Sequence, residues 1–232
     1  MQQLSVNGRR DELLPATSLQ VRRGELLLVS GNRQDQRTAL ALALSGRLKP
    51  SGGRFEWDGA EWDGSSKIKR LRRASAVVDS PGVNEPEQHL SVRDLVTEDL
   101  ALVPRRHRGA LLSGPWLKVN CFEDIAGLWT EQLPAARRIE LLTALALANP
   151  QTDLLVVDSP HRHGDPGGWL PRLQELAYDA GRPLAVVATV MSLPAGWTGP
   201  AAAIGSAGSA VDAAAAPEPL EASTTPETED AK

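Results

Sequence analysis

Three short apolar runs constrain the fold of this chain more than any other feature of its sequence. They are residues 26–30 (LLLVS), 154–157 (LLVV) and 184–188 (LAVVA). Runs of this length and composition are typical of strands that are buried on both faces. Because helical stretches lie between the runs, we predict an α/β fold with a mainly parallel sheet that helices cover on both sides.

Weaker patterns predict the remaining elements. Residues 76–78 are expected to form another short buried strand, and residues 54–57 alternate as a half-exposed strand does. Ser91 is a suitable cap for a helix, because a serine hydroxyl accepts a hydrogen bond from a free N–H of the first turn. Helices are predicted over residues 38–45, 91–102 and 135–148.

The composition changes at about residue 211. Beyond it the chain consists of alanine, proline, serine, threonine and acidic residues, with almost no large apolar side chain. Such a segment cannot bury enough surface to offset the entropy that it would lose on ordering. We therefore predict one domain over residues 1–212 and a disordered acidic tail, rich in alanine and proline, over residues 213–232.

Composition excludes several classes of site. Cys121 is the only cysteine, so the chain has no internal disulfide and no cysteine-based zinc site, which agrees with a reducing compartment. The formal net charge is −4, so we expect no nucleic-acid partner. The sequence has no apolar run of the length that spans a membrane and no signal-peptide pattern at its start. We expect a cytoplasmic protein that reaches the cell membrane only through a partner.

The segment after the first apolar run partly matches a phosphate-binding loop. Such a loop follows the pattern G-x-x-x-x-G-K-[ST] and opens a helix, whose free N–H groups bind anions. Here the opening glycine and the hydroxyl of Thr38 are present, but Gln36 replaces the interior glycine and Arg37 replaces the lysine. Taken alone, the segment is better explained as an ordinary surface turn. It consists of Gly31, Asn32, Arg33, Gln34, Asp35, Gln36, Arg37 and Thr38.

The surroundings of this loop resemble an ATP-binding cassette domain over about residues 4–210. Residues 154–160 (LLVVDSP) are similar to the family's strand that ends in Asp-Glu-Pro, and Asp165 occupies the position of the D-loop aspartate. The N-terminal half contains the family's landmarks in order. These are Gly24-Glu25, the loop, Leu44-Ser45-Gly46, the turn at 50–53 (PSGG) and Asp58-Gly59.

This resemblance implies a P-loop NTPase-like fold of the ABC type. A parallel core would carry an antiparallel β-subdomain and a small helical subdomain at about residues 91–150. ATP and Mg²⁺ would be the cofactors, held by the loop residues Gly31 to Thr38 together with Asp158. Thr38 and Asp158 would be the magnesium ligands, and Arg37 could contact phosphate. The family also implies a partner, either an integral membrane subunit or a second cassette in a homo- or heterodimer.

Several positions depart from the family's motifs. Ser159 replaces the glutamate that polarises the attacking water, and a serine cannot act as that base at neutral pH. Val190 replaces the switch histidine, and Asp79 replaces the Q-loop glutamine. Residues 133–137 (LPAAR) replace the signature LSGGQ, and Gln34 and Gln36 stand where the family's loop has two glycines. We therefore assign no catalytic residue and predict weak or lost ATP binding and hydrolysis.

Three functions remain open at this point. The chain could be a structural or regulatory cassette subunit, a working ATPase with altered motifs, or a soluble scaffold or nucleic-acid-associated cassette protein. The basic clusters 67–73 and 105–108 could bind an acidic partner, nucleic acid or phospholipid, although a solvated helix face is the simpler explanation. His161 and His163 are interpreted as solvated loop residues. The apolar residues of 104–132 form either a small local core or a surface that docks a membrane protein.

Overall fold

A six-stranded sheet forms the centre of the molecule. The structure is a computed structural model that describes residues 1–57, 60–61, 65–108, 112–206 and 211–212. Its strands are β1 (Gln2–Asn7), β2 (Glu12–Thr17), β3 (Glu25–Ser30), β4 (Gly52–Arg54), β5 (Glu56–Trp57), β6 (Ala60–Glu61), β7 (Ser75–Val78), β8 (Leu154–Asp158), β9 (Ala185–Val190), β10 (Pro200–Ala203) and β11 (Val211–Asp212). Its α-helices are α1 (Gln34–Leu44), α2 (Ser65–Ala74), α3 (Val92–Leu102), α4 (Arg105–Arg108), α5 (Ser113–Val119), α6 (Ala135–Leu147) and α7 (Leu170–Tyr178).

The order of strands in the main sheet is β11-β10-β3-β9-β8-β7. The five strands from β10 to β7 are parallel to their neighbours, and β11 pairs antiparallel with β10. Strands β3 and β8 contain the first two apolar runs, β9 contains the third except for Leu184, and every residue of β8 and β9 is buried. The predicted α/β class and its parallel sheet are therefore confirmed.

A smaller antiparallel sheet, in the order β2-β1-β4, and the hairpin β5-β6 form the predicted antiparallel part. The strand predicted over residues 54–57 is divided, because β4 ends at Arg54 and β5 begins at Glu56. The first part pairs with β1 and the second turns into the hairpin with β6.

Both faces of the main sheet are covered by apolar side chains. Leu26 and Leu28 of β3 belong to a cluster that includes residues of α3, α6 and α7, whereas Leu27 and Val29 belong to a cluster with α1 and β1. Successive residues of a strand face opposite sides, so each side of β3 contributes to a different cluster. The buried polar residues Asp79, Asp158, Ser159 and Thr189 lie at or just beyond the carboxyl ends of β7, β8 and β9, where the candidate site lies.

Helices α3 to α6 occupy the region in which the resemblance places a helical subdomain, whose bounds stay a prediction. Ser91 caps α3, as predicted, because its hydroxyl accepts a hydrogen bond from the N–H of Asp94 at 3.1 Å. Most apolar residues between 104 and 132 form a local core here. Of the two interpretations of this segment, the local core is therefore favoured over a surface that docks a membrane protein. Trp116, Leu117, Phe122 and Ile125 are buried, Leu128 is partly buried, and Leu112 and Trp129 are exposed.

Three features of the sequence lie outside the described residues. They are the Asp58-Gly59 pair, Leu111 and the tail over residues 213–232. Within the described part of the chain, none of the helices has the length and apolar character needed to cross a bilayer.

Candidate functional site

Helix α1 begins at Gln34, ahead of the predicted start at residue 38. A phosphate-binding loop keeps its interior residues out of the helix by means of glycines, which favour backbone conformations that a helix does not use. Residues 34–36 (QDQ) have no such preference and join the helix. Only residues 31–33 remain between β3 and α1, so most of the predicted loop is helical.

Asp35 of the predicted loop is paired with Arg33 at the surface. The Arg33 Nε lies 3.1 Å from Oδ1 of Asp35. The hydrogen bond with Arg33 lowers the pKa of the Asp35 carboxyl. The acidic charge expected in the loop is therefore balanced by a neighbouring cation.

Arg37 points into the protein and is only 2% exposed. Its Nε donates to Oγ of Ser159 at 2.9 Å, and Nη2 donates to Oε1 of Gln34 at 2.7 Å. Nη1 donates to the backbone carbonyls of Gly31 at 2.5 Å and Asn32 at 3.1 Å. All three guanidinium nitrogens are thus bound within the chain, and Arg37 is not a free cation awaiting phosphate.

Asp158 lies at the carboxyl end of β8 and has no exposed surface. A carboxylate offers about four lone pairs, and five side-chain donors surround this one. They are Gln34 Nε2 at 3.2 Å, Ser159 Oγ at 2.8 Å and Thr189 Oγ1 at 2.9 Å on Oδ1, with Thr38 Oγ1 and Ser80 Oγ, both at 2.7 Å, on Oδ2. The hydrogen-bonding capacity of Asp158 is therefore fully used by this chain.

Gln34 connects the residues around Asp158 to Arg37. Its amide nitrogen donates to Oδ1 of Asp158 and to Oγ1 of Thr38, the latter at 3.1 Å. Its amide oxygen accepts from Arg37. One residue, at a position where the family has a glycine, thus contacts both predicted magnesium ligands and the predicted phosphate contact.

This arrangement does not fit Mg²⁺ held by Thr38 and Asp158. The structure brings the two side chains together at 2.7 Å. However, Mg²⁺ requires oxygen lone pairs in a nearly octahedral shell, and a lone pair that accepts a hydrogen bond is not available to a cation. The amide nitrogen of Gln34 donates to Oδ1 of Asp158 and to Oγ1 of Thr38, so a lone pair on each of these oxygens is already used. The role of Thr38 and Asp158 as metal ligands therefore stays a prediction.

Ser159 acts as a bridge between Arg37 and Asp158. It is fully buried and has a left-handed backbone with φ +59°. Its hydroxyl accepts from Arg37 and donates to Asp158. Val190, at the switch position, is 1% exposed and packs in the apolar core. Neither side chain offers a base to a water molecule.

A second polar cluster surrounds Asp79, at the Q-loop position. Its carboxylate, 4% exposed, receives Arg138 Nε at 3.0 Å and Arg138 Nη2 at 2.8 Å. His163 Nε2 lies 2.8 Å away, and Arg162 Nη2 donates to the Asp79 carbonyl at 2.8 Å. Although burial opposes ionisation, the hydrogen bonds of His163 and Arg138 hold the pKa of Asp79 well below its usual range. This cluster joins the end of β7 to helix α6.

The interpretation of His163 as a solvated residue is therefore wrong, because its Nε2 lies 2.8 Å from the carboxylate of Asp79, the residue that follows β7. Ligand atoms of Asp79, Glu85 and His163 lie within 4.8 Å of one another, which is metal-ligand spacing. The carboxylates, however, are already neutralised by arginines, since Arg138 binds Asp79 and Arg162 lies 2.8 Å from Glu85. The geometry favours an ion-pair network over a metal site.

The segment at the signature position begins helix α6, with Pro134 as its N-cap residue. Arg137 faces the helical region, where it pairs with Asp124 at 2.7 Å and Glu140 at 2.8 Å. Its guanidinium also lies 4.9 Å from the ring centre of Phe122. These contacts hold Arg137 against the surface of the helical region.

The site includes three residues that the sequence analysis did not single out. Ser80 and Thr189 each supply a donor to Asp158, and Arg138 binds Asp79. A signal for Ser80 exists in the sequence, because a polar residue just after a buried parallel strand lies at the same sheet edge as those after the neighbouring strands. Arg138 gives no such signal, since it looks like any arginine of an amphipathic helix.

No protein-family model matches the sequence, and no curated protein matches it. Solved structures resemble it over most of its length. The structure of cbiO1 from Clostridium perfringens, part of the ABC transporter complex cbiONQ, has a TM-score of 0.62 and 20% identity, and the match covers 90% of this chain and 85% of that one.

Two structures of MJ0796 are also similar. The dimeric structure, described as a bacterial ABC transporter cassette, has a TM-score of 0.59 and 17% identity, and the match covers 82% of this chain and 87% of that one. A post-hydrolysis state of the ATP-binding cassette MJ0796, bound to ADP and Pi, has a TM-score of 0.59, 18% identity and the same coverage. The chain therefore has the fold of the ATP-binding cassettes of ABC transporters, with this cluster of polar side chains at the edge where its sheet and first helix meet.

Proposed function

We propose that this chain is a cassette subunit whose nucleotide site is filled by its own side chains, and that it acts as a structural or regulatory component. One observation carries the proposal. Gln34 donates to Asp158 and Thr38, the residues that the cassette resemblance assigns to Mg²⁺. Arg37, which the resemblance would offer to phosphate, donates instead to Ser159, to Gln34 and to the loop carbonyls of Gly31 and Asn32. A ligand would have to displace this whole set of hydrogen bonds.

Arg37 also supplies the positive charge that a bound metal would otherwise provide. Asp158 is a fully buried carboxylate, and such a charge is costly unless it is neutralised nearby. The guanidinium of Arg37 reaches it through the hydroxyl of Ser159, with steps of 2.9 and 2.8 Å. This internal cation supports a fold that is complete without a nucleotide.

ATP hydrolysis requires a general base and a signature segment, and the described residues of this site supply neither. A general base must reach the attacking water, whereas Ser159 is buried and already bound on both sides. The segment at the signature position carries Pro134 and Arg137, which serve the packing of α6. We therefore propose that this chain alone turns over no ATP.

A subunit without its own turnover acts through a partner. The solved structures that share its fold include a member of a transporter complex, cbiONQ, and a cassette dimer, MJ0796. We propose by this analogy that the partner is an integral membrane subunit or a second cassette, and that the chain lies at the cytoplasmic face of the membrane. A working ATPase with altered motifs is the alternative, and it would need Gln34 and Arg37 to leave the site together.

The experiment that tests the proposal is a thermal-shift titration of the full chain with Mg-ATP to millimolar concentration, combined with a phosphate-release assay. A ligand that binds the folded state raises the unfolding temperature by mass action. We expect no shift, and phosphate release equal to that of Asp158→Asn. A saturable shift, or release above that control, would contradict the proposal and favour the working ATPase.

A further inference from the structure

An open groove of about 270 Å³ lies between helix α7 and the segment 194–199, which leads into strand β10. From the helix it is lined by Leu170, Gln174 and Tyr178. We call it the α7 groove. None of the residues that line it belongs to the polar clusters around Asp158 and Asp79, so it is a separate feature of the surface.

Two aromatic side chains line the α7 groove. Tyr178, the last residue of α7, is 52% exposed. Trp197 is partly buried against the apolar core, and its Nε1 donates to the carbonyl of Pro200 at 3.2 Å. A Cβ atom at Gly199 would lie 2.4 Å from the Trp197 ring, so the ring rests directly on the backbone there. The groove therefore presents two aromatic rings, and one of them is fixed in place.

Three polar side chains of the α7 groove have no hydrogen-bond partner among the residues that the structure describes. They are the amide of Gln174 and the hydroxyls of Tyr178 and Thr198. A polyproline II helix has no internal hydrogen bonds, so its backbone carbonyls can accept from such donors. Grooves lined by aromatic side chains are the sites that bind proline-containing segments in this conformation. The chemistry of the groove therefore fits an extended segment that contains proline.

The chain itself leaves the main sheet beside the α7 groove. Strand β11 runs antiparallel to β10, and Asp212 is paired with Pro200. Continuing that register carries the next residues past Gly199 and Thr198, both of which line the groove. At about 3.1 Å per residue in a polyproline II helix, the five steps from Asp212 to Pro217 span about 16 Å. The first residues of the tail can therefore reach the groove without a linker.

The sequence of residues 213–222 (AAAAPEPLEA) has the period of a polyproline II helix. This segment lies outside the residues that the structure describes. Three residues form one turn of such a helix, so residues three apart share an edge. Ala214, Pro217 and Leu220 form one apolar edge, and residues 213, 216, 219 and 222 form a second of alanine and proline alone. Glu218 and Glu221 share the third edge, so the segment is apolar on two edges and acidic on one.

We propose that residues 213–222 bind the α7 groove of their own chain as a polyproline II segment, with the apolar edges against Tyr178 and Trp197 and the acidic edge towards solvent. The composition of the tail excludes a core of its own, but here the domain supplies the apolar surface. The contact covers Tyr178 and closes the groove to proline-containing segments of other proteins. Because it adds nothing to the buried core, the melting temperature reports it poorly, and the groove itself must be probed.

Photo-crosslinking within the purified full chain tests this. A photoreactive apolar residue replaces Leu220, and mass spectrometry identifies the peptide to which it becomes attached. We expect attachment to residues 170–178 or 194–199. The same photoreactive residue at Thr228, which lies in the tail beyond the proposed segment, should not attach there. Tyr178→Ala should reduce the adduct of position 220 at least about fivefold, because it removes an aromatic contact.

The matched control for the ring is Trp129→Ala. It removes an aromatic side chain that is 46% exposed and lies outside the groove, so the adduct should be kept. Pro217→Gly with Pro219→Gly should also reduce the adduct, because glycine makes the extended conformation more costly to hold. Pro226→Gly, beyond the segment, makes the same kind of change and should have no effect.

A mixture of unlabelled and isotope-labelled chains shows whether the adduct forms within one chain. We expect both halves of the adduct to carry the same label. Absence of an adduct with the groove, adducts that join two chains, or insensitivity to Tyr178→Ala or to the paired proline changes would overturn the inference. Mg-ATP binding in the thermal-shift titration would contradict the proposed function and leave this inference standing.

Discussion

The amide nitrogen of Gln34 lies 3.2 Å from Oδ1 of Asp158, a residue 124 positions further along the chain. The contact places the first residue of α1 against the carboxyl end of β8. A glycine at this position would leave free space beside Asp158, whereas Gln34 places a hydrogen-bond donor there. Gln34 is therefore one of the two side chains, with Arg37, that occupy the site, and its removal tests its share directly.

Replacing Gln34 and Gln36 with glycine should create measurable Mg-ATP binding. The first change frees lone pairs on Asp158 and Thr38, and together the glycines allow residues 34–36 to leave the helix and turn N–H groups towards phosphate. At a ligand concentration ten times the dissociation constant, the folded state should gain about 1.4 kcal/mol, read as a thermal shift. Gln36→Gly alone, which leaves the Gln34 contacts intact, is the control and should give no shift. Equal behaviour of both variants would show that Gln34 does not close the site.

Arg37→Met should destabilise the protein by about 3–5 kcal/mol, because it leaves the buried Asp158 carboxylate without a nearby cation. Chemical denaturation at neutral pH measures this loss. Arg33→Met, which breaks an exposed pair four residues earlier, should change the stability little. Combining Arg37→Met with Asp158→Asn should cost less than the sum of the two single changes, since the charge to be compensated is gone. Additive losses would show that the two residues are not coupled.

Asp79 should make the free energy of unfolding depend on pH in the acid range. Its folded pKa lies below that of an unfolded aspartate, about 3.9, so its contribution is fully present above that value. The contribution is lost as the pH falls further through the folded pKa. Asp79→Asn should remove this dependence and cost about 3 kcal/mol or more at neutral pH, because Arg138 then lacks its buried partner.

The matched change for that experiment is Asp124→Asn, whose partner Arg137 lies on the surface of the helical region. An exposed pair is worth less than about 1 kcal/mol, so this variant should retain the acid sensitivity of the parent. Urea titrations between pH 7 and the acid limit of folding would distinguish the two. If both variants behave alike, the buried pair does not govern the acid response.

Truncation after Asp212 should leave the melting temperature within about a degree or two, because a segment of this composition has no core to lose. Calorimetry of the full and shortened chains compares them directly. The residues removed lie outside those that the structure describes, and the expectation comes from composition alone. A drop of many degrees would show that the tail packs on the domain.

The sequence by itself determined the buried central strands of the sheet. The apolar runs that became β3, β8 and β9 are recognisable because a strand buried on both faces has no polar alternation, and Ser91 is recognisable as a cap from its local chemistry. The resemblance to the cassette family made Thr38 and Asp158 ligands of one magnesium ion and so placed them close together, but it did not predict the hydrogen bond that joins them directly. These inferences depend on composition, local order along the chain and family motifs.

Only the tertiary structure decided what occupies the site. That Arg37 turns inward to Ser159, 122 residues away, depends on where β8 ends relative to α1, and the sequence equally allowed an arginine exposed to phosphate. The same holds for Arg138, whose partner Asp79 lies 59 residues away in the sequence and at the end of another strand. Local sequence patterns depend on the preferences of neighbouring residues. The partner of a buried charge depends instead on distances in the folded chain, because the electrostatic cost of burying a charge is set by the groups within a few ångströms of it.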